Sequence, residues 1–278
     1  MEKDQMKMQW KKMIQMQHPE KLLKFARQLD EETLATLYGM DLETYIDIKS
    51  QLEQETKEAA DQLLANPEFA DRVNRLPFKV GQTVIGVGES TTDDLLSWFE
   101  ILRRLLERQR PQDNIRMINE GISGDTSTQL LGRFNGVVAQ EPDWIICMIG
   151  GNDVLRFGPE PTKTQVSAEE TARNISEIRR ISTVNSAAQW VWITPTPIND
   201  ERMAAFPYFR QLRCRNEDIH VVSDMIHRLS DPVIDTQTRF GMPASPEWME
   251  VDGLHPSISG HKAIVTWLVE ELTRETGM

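Results

Sequence analysis

Cysteine is scarce in this chain. Cys147 and Cys214 are the only two in 278 residues, too few for the disulfide framework that staples small secreted folds. Cys147 lies in the apolar run Trp144-Ile145-Ile146-Cys147-Met148-Ile149 and reads as a small buried hydrophobe. No apolar run is long enough to cross a bilayer. The first seventeen residues are charged and Met-rich, with no apolar core of a signal peptide. A reduced, cytoplasmic protein is the expectation. Positive charge is also short: 31 Lys and Arg face 43 Asp and Glu, for a net charge of -12. An acidic surface repels phosphate backbones and anionic headgroups, so nucleic acid and membrane are poor partners. The local cluster Arg103, Arg104, Arg108 and Arg110 reads as the solvated face and end of a helix. No His, Cys or carboxylate set has metal-ligand spacing, and no cofactor or metal is expected.

What the chain does contain is a change of pattern near residue 76. Residues 1–76 carry Glu, Lys, Gln and Met at helical spacing. Leu22, Phe25, Ala26 and Leu29 form one stripe, and Leu34, Leu37 and Tyr38 another. Asp41 can cap a third helix bearing Tyr45, Ile48 and Leu52, and Pro67 can open a fourth. Met6, Met8, Met13 and Met16 read as a packing face. The Leu76-Pro77 step is a natural boundary, because the residue before proline is driven from the helical region.

From Phe78 onward strands alternate with helices. Strands are expected at 80–87, 115–119, 144–149, 190–194 and 233–236. Helices are expected at 93–109, 126–139, 168–184, 209–229 and 259–273. Such alternation gives a parallel sheet covered by helices on both faces. Sites in open sheets of this kind form at the carboxyl ends of the strands.

The first three strand ends run into loops of small and polar residues: Gly86-Val87-Gly88-Glu89-Ser90-Thr91-Thr92, Asn119-Glu120-Gly121-Ile122-Ser123-Gly124-Asp125-Thr126, and Gly150-Gly151-Asn152-Asp153. A serine at a strand-to-helix turn exposes its hydroxyl near helix N–H groups that favour negative charge. Far downstream, Asp252-Gly253-Leu254-His255 places a carboxylate three residues before an imidazole. The carboxylate can hold Nδ1–H, leaving Nε2 to take a serine proton. Gly-x-Ser-x-Gly is missing, since Thr92 stands where the last glycine would be. This argues against the nucleophile elbow of the α/β-hydrolases.

These four stretches, in this order and over about residues 80–275, resemble the SGNH hydrolases, also called the GDSL esterase and lipase family. The family's Gly-Asp-Ser falls on Gly88-Glu89-Ser90, with Glu89 replacing the usual aspartate. Its glycine falls on Gly124, its asparagine on Asn152, and its Asp-x-x-His on Asp252 and His255. The resemblance implies an α/β, flavodoxin-like three-layer sandwich with a central, mainly parallel five-stranded sheet, here residues 77–278, preceded by the helical extension 1–76. It also implies a catalytic triad of Ser90, His255 and Asp252, with an oxyanion hole from the Ser90 and Gly124 N–H groups and the Asn152 amide.

The function so read is hydrolysis of a small-molecule ester through an acyl-enzyme. A thioesterase or acyltransferase would use the same residues. A non-catalytic interaction protein with a vestigial hydrolase domain is the reading from another class. Phe157, Met203, Phe206, Tyr208, Trp248 and Met249 are candidates for an apolar pocket wall. Asp125 and Asp153 are read as holding loop backbone, Asp93 and Asp94 as helix caps, and His220, His227 and His261 as structural or solvated. The helical extension is read as an oligomerisation or lid element, with a homo-oligomer as the partner it could create.

Overall fold

The computed structural model describes residues 2–22, 29–158 and 162–274. The strands are β1 (Thr83–Gly88), β2 (Arg116–Gly121), β3 (Trp144–Met148), β4 (Arg156–Phe157), β5 (Gln189–Ile193), β6 (Leu212–Arg213) and β7 (Val233–Ile234). Five of them make one sheet in the order β2-β1-β3-β5-β7, with every neighbouring pair parallel. β4 and β6 form a separate antiparallel ribbon. The order reverses direction between β1 and β3, which opens a crevice at their carboxyl ends.

Both faces of the sheet are covered, so its central strands read as continuous apolar runs rather than alternating ones. Val84, Ile146, Met148, Val191 and Ile193 point into one core with the helices Trp98–Gln109 and Ile258–Leu272. Ile85, Val87, Ile145, Cys147, Trp190 and Trp192 point into the other, with Ser127–Val138, Ala168–Asn185 and Asn216–His227. Each large side chain so buried contributes on the order of 1.5–3 kcal/mol. The helices are capped locally. Ser97, Ser167 and Ser257 accept from backbone N–H groups one turn on, and Thr126 with Gln129 forms a capping box.

The amino-terminal helices are Glu2–Met16, Pro19–Leu22, Glu31–Leu37, Leu42–Leu64 and Pro67–Asn74. Asp41 caps the fourth and Asn66 the fifth, with Pro67 in its first turn. These helices pack on their own chain. Ala59, Ala60, Phe69, Val73 and Leu76 enter the first core beside Trp98, Phe99 and Leu268. Ile14, Leu34, Tyr38, Tyr45, Ile48 and Leu52 close over Leu96, with Leu95 and Ile258 against them. Phe25 and Ala26 lie outside the described residues.

Three expectations change. The helix expected from 93 is broken: a single turn, Ser90–Asp93, ends before Ser97 caps Trp98–Gln109. Leu95 and Leu96 lie between them and turn toward the amino-terminal helices instead of continuing the stripe. The helix expected from 209 begins at Asn216, because Leu212 is taken up by β6 against Phe157. Of the four methionines, only Met16 is buried; Met6, Met8 and Met13 are exposed. Trp10 and Ile14, one turn apart, set the inward face of that helix and leave the other methionines off it.

Candidate active site

β1 delivers Ser90 directly after Gly88 and Glu89, as the first residue of the single turn Ser90–Asp93. Helix-opening N–H groups have no partner inside the helix and favour a negative ligand. Gly121, at the end of β2, lies against this turn. A β-carbon on it would fall 2.5 Å from the Asp93 nitrogen, so only glycine allows the approach. Gly124 sits further along the same loop with φ of +88°, a left-handed conformation that side chains disfavour.

The loop before the last helix brings His255 to Ser90. His255 Nε2 lies 3.1 Å from Ser90 Oγ, and His255 Nδ1 lies 2.8 Å from Asp252 Oδ2. The other Asp252 oxygen accepts from the N–H groups of Leu254 and His255, each at 2.9 Å. Burial works to raise the Asp252 pKa. The His255 charge and these hydrogen bonds outweigh it and hold the carboxyl at about 2. The geometry thus supplies a hydroxyl, a base within hydrogen-bond reach and an ionised group orienting that base.

β3 ends at the Gly150–Asp153 turn. Asn152 Nδ2 donates to the Asp125 carbonyl at 2.9 Å, which aims the amide across from the β2 loop. Asp153 is fully buried. It accepts from the Ser127 N–H, the Ser127 hydroxyl and, at 2.9 Å, the Thr171 hydroxyl. Asp125 pairs with Arg133 at 2.7 Å. Asp153 holds loop backbone, as expected; the Asp125 carboxylate instead pairs with a helix side chain, and only its main-chain carbonyl receives the Asn152 amide.

Glu89 has a larger part than its sequence position suggested. Its two oxygens accept from the N–H groups of Gly151 at 3.2 Å and Asn152 at 3.0 Å. It therefore ties the residue before Ser90 to the turn carrying Asn152. Two N–H donors favour the carboxylate, but burial works against the charge and prevails, pushing the pKa up to about 8. The folded protein holds this proton longer than an unfolded chain does. Glu89 therefore lowers stability progressively as pH rises from about 4.5 towards 8. In Glu89→Gln that penalty is gone. Thermal melts should show the variant gaining on the wild type from pH 5 to pH 8; a difference that stays constant over that range contradicts the assignment.

Asp93 and Asp94 are not caps of the long helix. Asp94 accepts from the Leu96 N–H at 2.7 Å, and Asp93 is bound to residues of the extension. His261 is buried and accepts from the Trp98 N–H at 3.3 Å. His220 and His227 stay partly exposed on their helix. The four arginines are each paired with carboxylates, and Arg110 also binds the carbonyls of Leu76 and Phe78. Among the described residues, no group of three or more His, Cys, Asp or Glu side chains could hold a metal ion.

The cleft beside Ser90 is lined by Glu89, Asn152 and His255 on its polar side and by Pro195, Ile198, Cys214, Ile219 and Leu254 on its apolar side. Its volume is about 20 Å³, close to that of one water. None of the six candidate wall residues lines it. Met203 and Met249 are buried elsewhere, and Phe157 and Tyr208 face solvent. The wall comes instead from positions whose role is set by tertiary packing, which the loop sequence does not reveal.

Residues 83–263 match the family described as GDSL-like Lipase/Acylhydrolase. An acetylxylan esterase of Geobacillus stearothermophilus is 29% identical over 180 residues, covering 60% of this chain and 77% of that one. The thioesterase 1/protease 1/lysophospholipase L1 of Escherichia coli K12 is 26% identical over 163 residues, covering 58% and 69%. Among solved structures, an α/β hydrolase enzyme from the metagenome of Lake Arreo, Spain, superimposes with a TM-score of 0.56 at 22% identity, over 71% of this chain and 97% of the other. The Geobacillus acetylxylan esterase gives 0.54 at 23% identity, over 70% and 95%. Residues 1–82 lie outside the family match.

Proposed function

The chain belongs to the GDSL-like lipase/acylhydrolase family, whose members here are named as esterases and hydrolases acting on ester bonds, and from that membership we propose a serine esterase selective for short acyl groups. Ser90 is its nucleophile, His255 its base and Asp252 the group that orients the base. The observation that carries this reading is the chain of contacts from Ser90 Oγ through the His255 ring to Asp252, at 3.1 and 2.8 Å.

As Ser90 Oγ forms its bond to the acyl carbon, its proton passes to His255 Nε2. The carbonyl electron pair moves to oxygen, which becomes an oxyanion. The Ser90 and Gly124 N–H groups and the Asn152 amide are the donors assigned to it, and loss of one such donor costs about 10²–10³ in rate. Collapse of the tetrahedral intermediate breaks the bond to the alcohol, which leaves with the proton from His255. Water then attacks the acyl-Ser90 ester, giving its proton to His255, and the carboxylic acid is released as Oγ regains that proton. Asp252, ionised throughout, stabilises the imidazolium that appears twice in this cycle.

The narrowness of the cleft beside Ser90 supports a preference for short acyl groups. Ile198 and Ile219 are each 1% exposed and belong to the sheet core, so the wall cannot retreat without disturbing that core. An acetyl group needs the least room. The Geobacillus relative is named for an acetyl ester, which agrees with this preference. With 4-nitrophenyl esters of increasing acyl length, kcat/KM should fall at least about tenfold from acetyl to butyryl and further to octanoyl, since each misfitting methylene costs about 1–3 kcal/mol. A maximum at octanoyl contradicts the short-acyl assignment.

A further inference from the structure

We propose that the segment Gln15–Lys21, outside the family match, is a positioning element of the hydrolytic site, acting through Asp93 to hold the Ser90 turn against the Gly124 loop. This rests on the roles given above to Ser90 and Gly124.

A single helical turn has little stability of its own. Ser90–Asp93 is such a turn, so the place of Ser90 depends on what grips it. Asp93, the last residue of the turn, is 1% exposed. Its Oδ2 accepts from the Ser123 N–H at 2.8 Å, one residue before Gly124. Its Oδ1 accepts from His18 Nδ1 at 2.7 Å and from Lys21 Nζ at 2.6 Å. Lys21 continues to the Gly121 carbonyl at 3.2 Å and Asn119 Oδ1 at 3.4 Å, both on the β2 end that leads to Gly124. The Ser123 hydroxyl donates to the Met16 carbonyl. On the far side of the turn, Gln15 Nε2 donates to Asp94 at 2.8 Å and the Leu95 N–H to the Gln15 carbonyl at 3.1 Å.

One stretch of the extension thus clamps both loops that carry the nucleophile and the glycine donor. A buried carboxylate at this junction needs compensating charge and donors. Burial works against its ionisation, but the His18 hydrogen bond and the Lys21 charge prevail and keep it at about 2. Without Lys21 the carboxylate would draw water or shift toward solvent, and the two loops would lose their common anchor. The extension therefore acts in cis, behind the site rather than over its mouth: His18 and Lys21 do not line the cleft beside Ser90.

A small loss of alignment acts on the transition state more than on ester binding. In the full-length chain, Lys21→Met should lower kcat for an acetyl ester about ten- to a hundredfold with KM within about twofold. Lys21→Arg should restore kcat to within a few-fold of wild type. Lys7→Met is the control. It breaks the Lys7–Asp47 pair, which also fastens the first helix but does not touch Asp93, and it should leave kcat unchanged. If Lys21→Met does not fold, Lys21→Gln gives the same comparison with a polar side chain kept. A wild-type kcat in the folded Lys21 variant, or an equal loss in Lys7→Met, overturns the proposal. An active wild type silenced by Ser90→Ala establishes the underlying assignment separately, so the two failures are distinguishable.

Discussion

Ser90→Ala is expected to lower kcat for an acetyl ester by about 10⁴-fold or more while leaving the melting temperature within about 2 °C of wild type. The cleft holds two further hydroxyls, on Thr91 and Thr196, but His255 Nε2 is bonded to that of Ser90. Cys214 is not a spare nucleophile, since burial pushes its thiol up to about 12 and leaves no useful thiolate near neutral pH. Ser90 is only half-buried and sits at a helix start where alanine fits without a clash, so stability should change little. Steady-state kinetics with a thermal melt of the same preparation checks both halves. Activity within a few-fold of wild type removes Ser90 from the reaction.

The second large effect is expected from Asp252→Asn: a loss of about 10⁴-fold in kcat with the His255 ring still in place. The amide can reproduce the contact to His255, but a donor facing Nδ1 favours the tautomer in which Nε2 carries the proton. Ser90 then meets an N–H instead of an acceptor. The charge that stabilises the imidazolium is also gone. This variant carries a pH signature in stability. The Asp252 carboxyl is held at about 2 in the fold against 3.8 as its ordinary value. Its contribution is present above about pH 4 and is lost as pH falls toward 2. Asp252→Asn should melt below the wild type at pH 7 and close the gap near pH 2. Equal deficits at both values contradict the assignment of an ionised Asp252 in the fold.

Much of the sheet was legible because β1, β3 and β5 are buried on both faces and announce themselves as apolar runs. The loops after β1, β2 and β3 were legible because turns that bring backbone close to other backbone call for glycine, as at Gly121. The Asp252–His255 pair was legible because three residues are enough to place a carboxylate on Nδ1. Other features depend on partners distant in the chain, which periodicity does not report. Leu212 continues a helical stripe in sequence but pairs with Phe157 in the ribbon. Leu95 and Leu96 read as part of a helix until the amino-terminal core is there to receive them. Asp93 looks like an ordinary cap, and its contacts to His18 and Lys21 span more than 70 residues. Glu89 was visible as a departure from the family's aspartate. Its extra methylene gains meaning only once the Gly151 and Asn152 N–H groups are seen to lie within its reach.

Every step of the proposed reaction depends on Ser90 as the activated nucleophile, and an active-site-directed fluorophosphonate reports on that group itself. The reagent forms a stable phosphonyl ester only with a hydroxyl activated by a neighbouring base. Peptide mass mapping after labelling should find one adduct, on Ser90, and none in Ser90→Ala. An adduct on a different side chain, or labelling of Ser90→Ala at the wild-type rate, would contradict it.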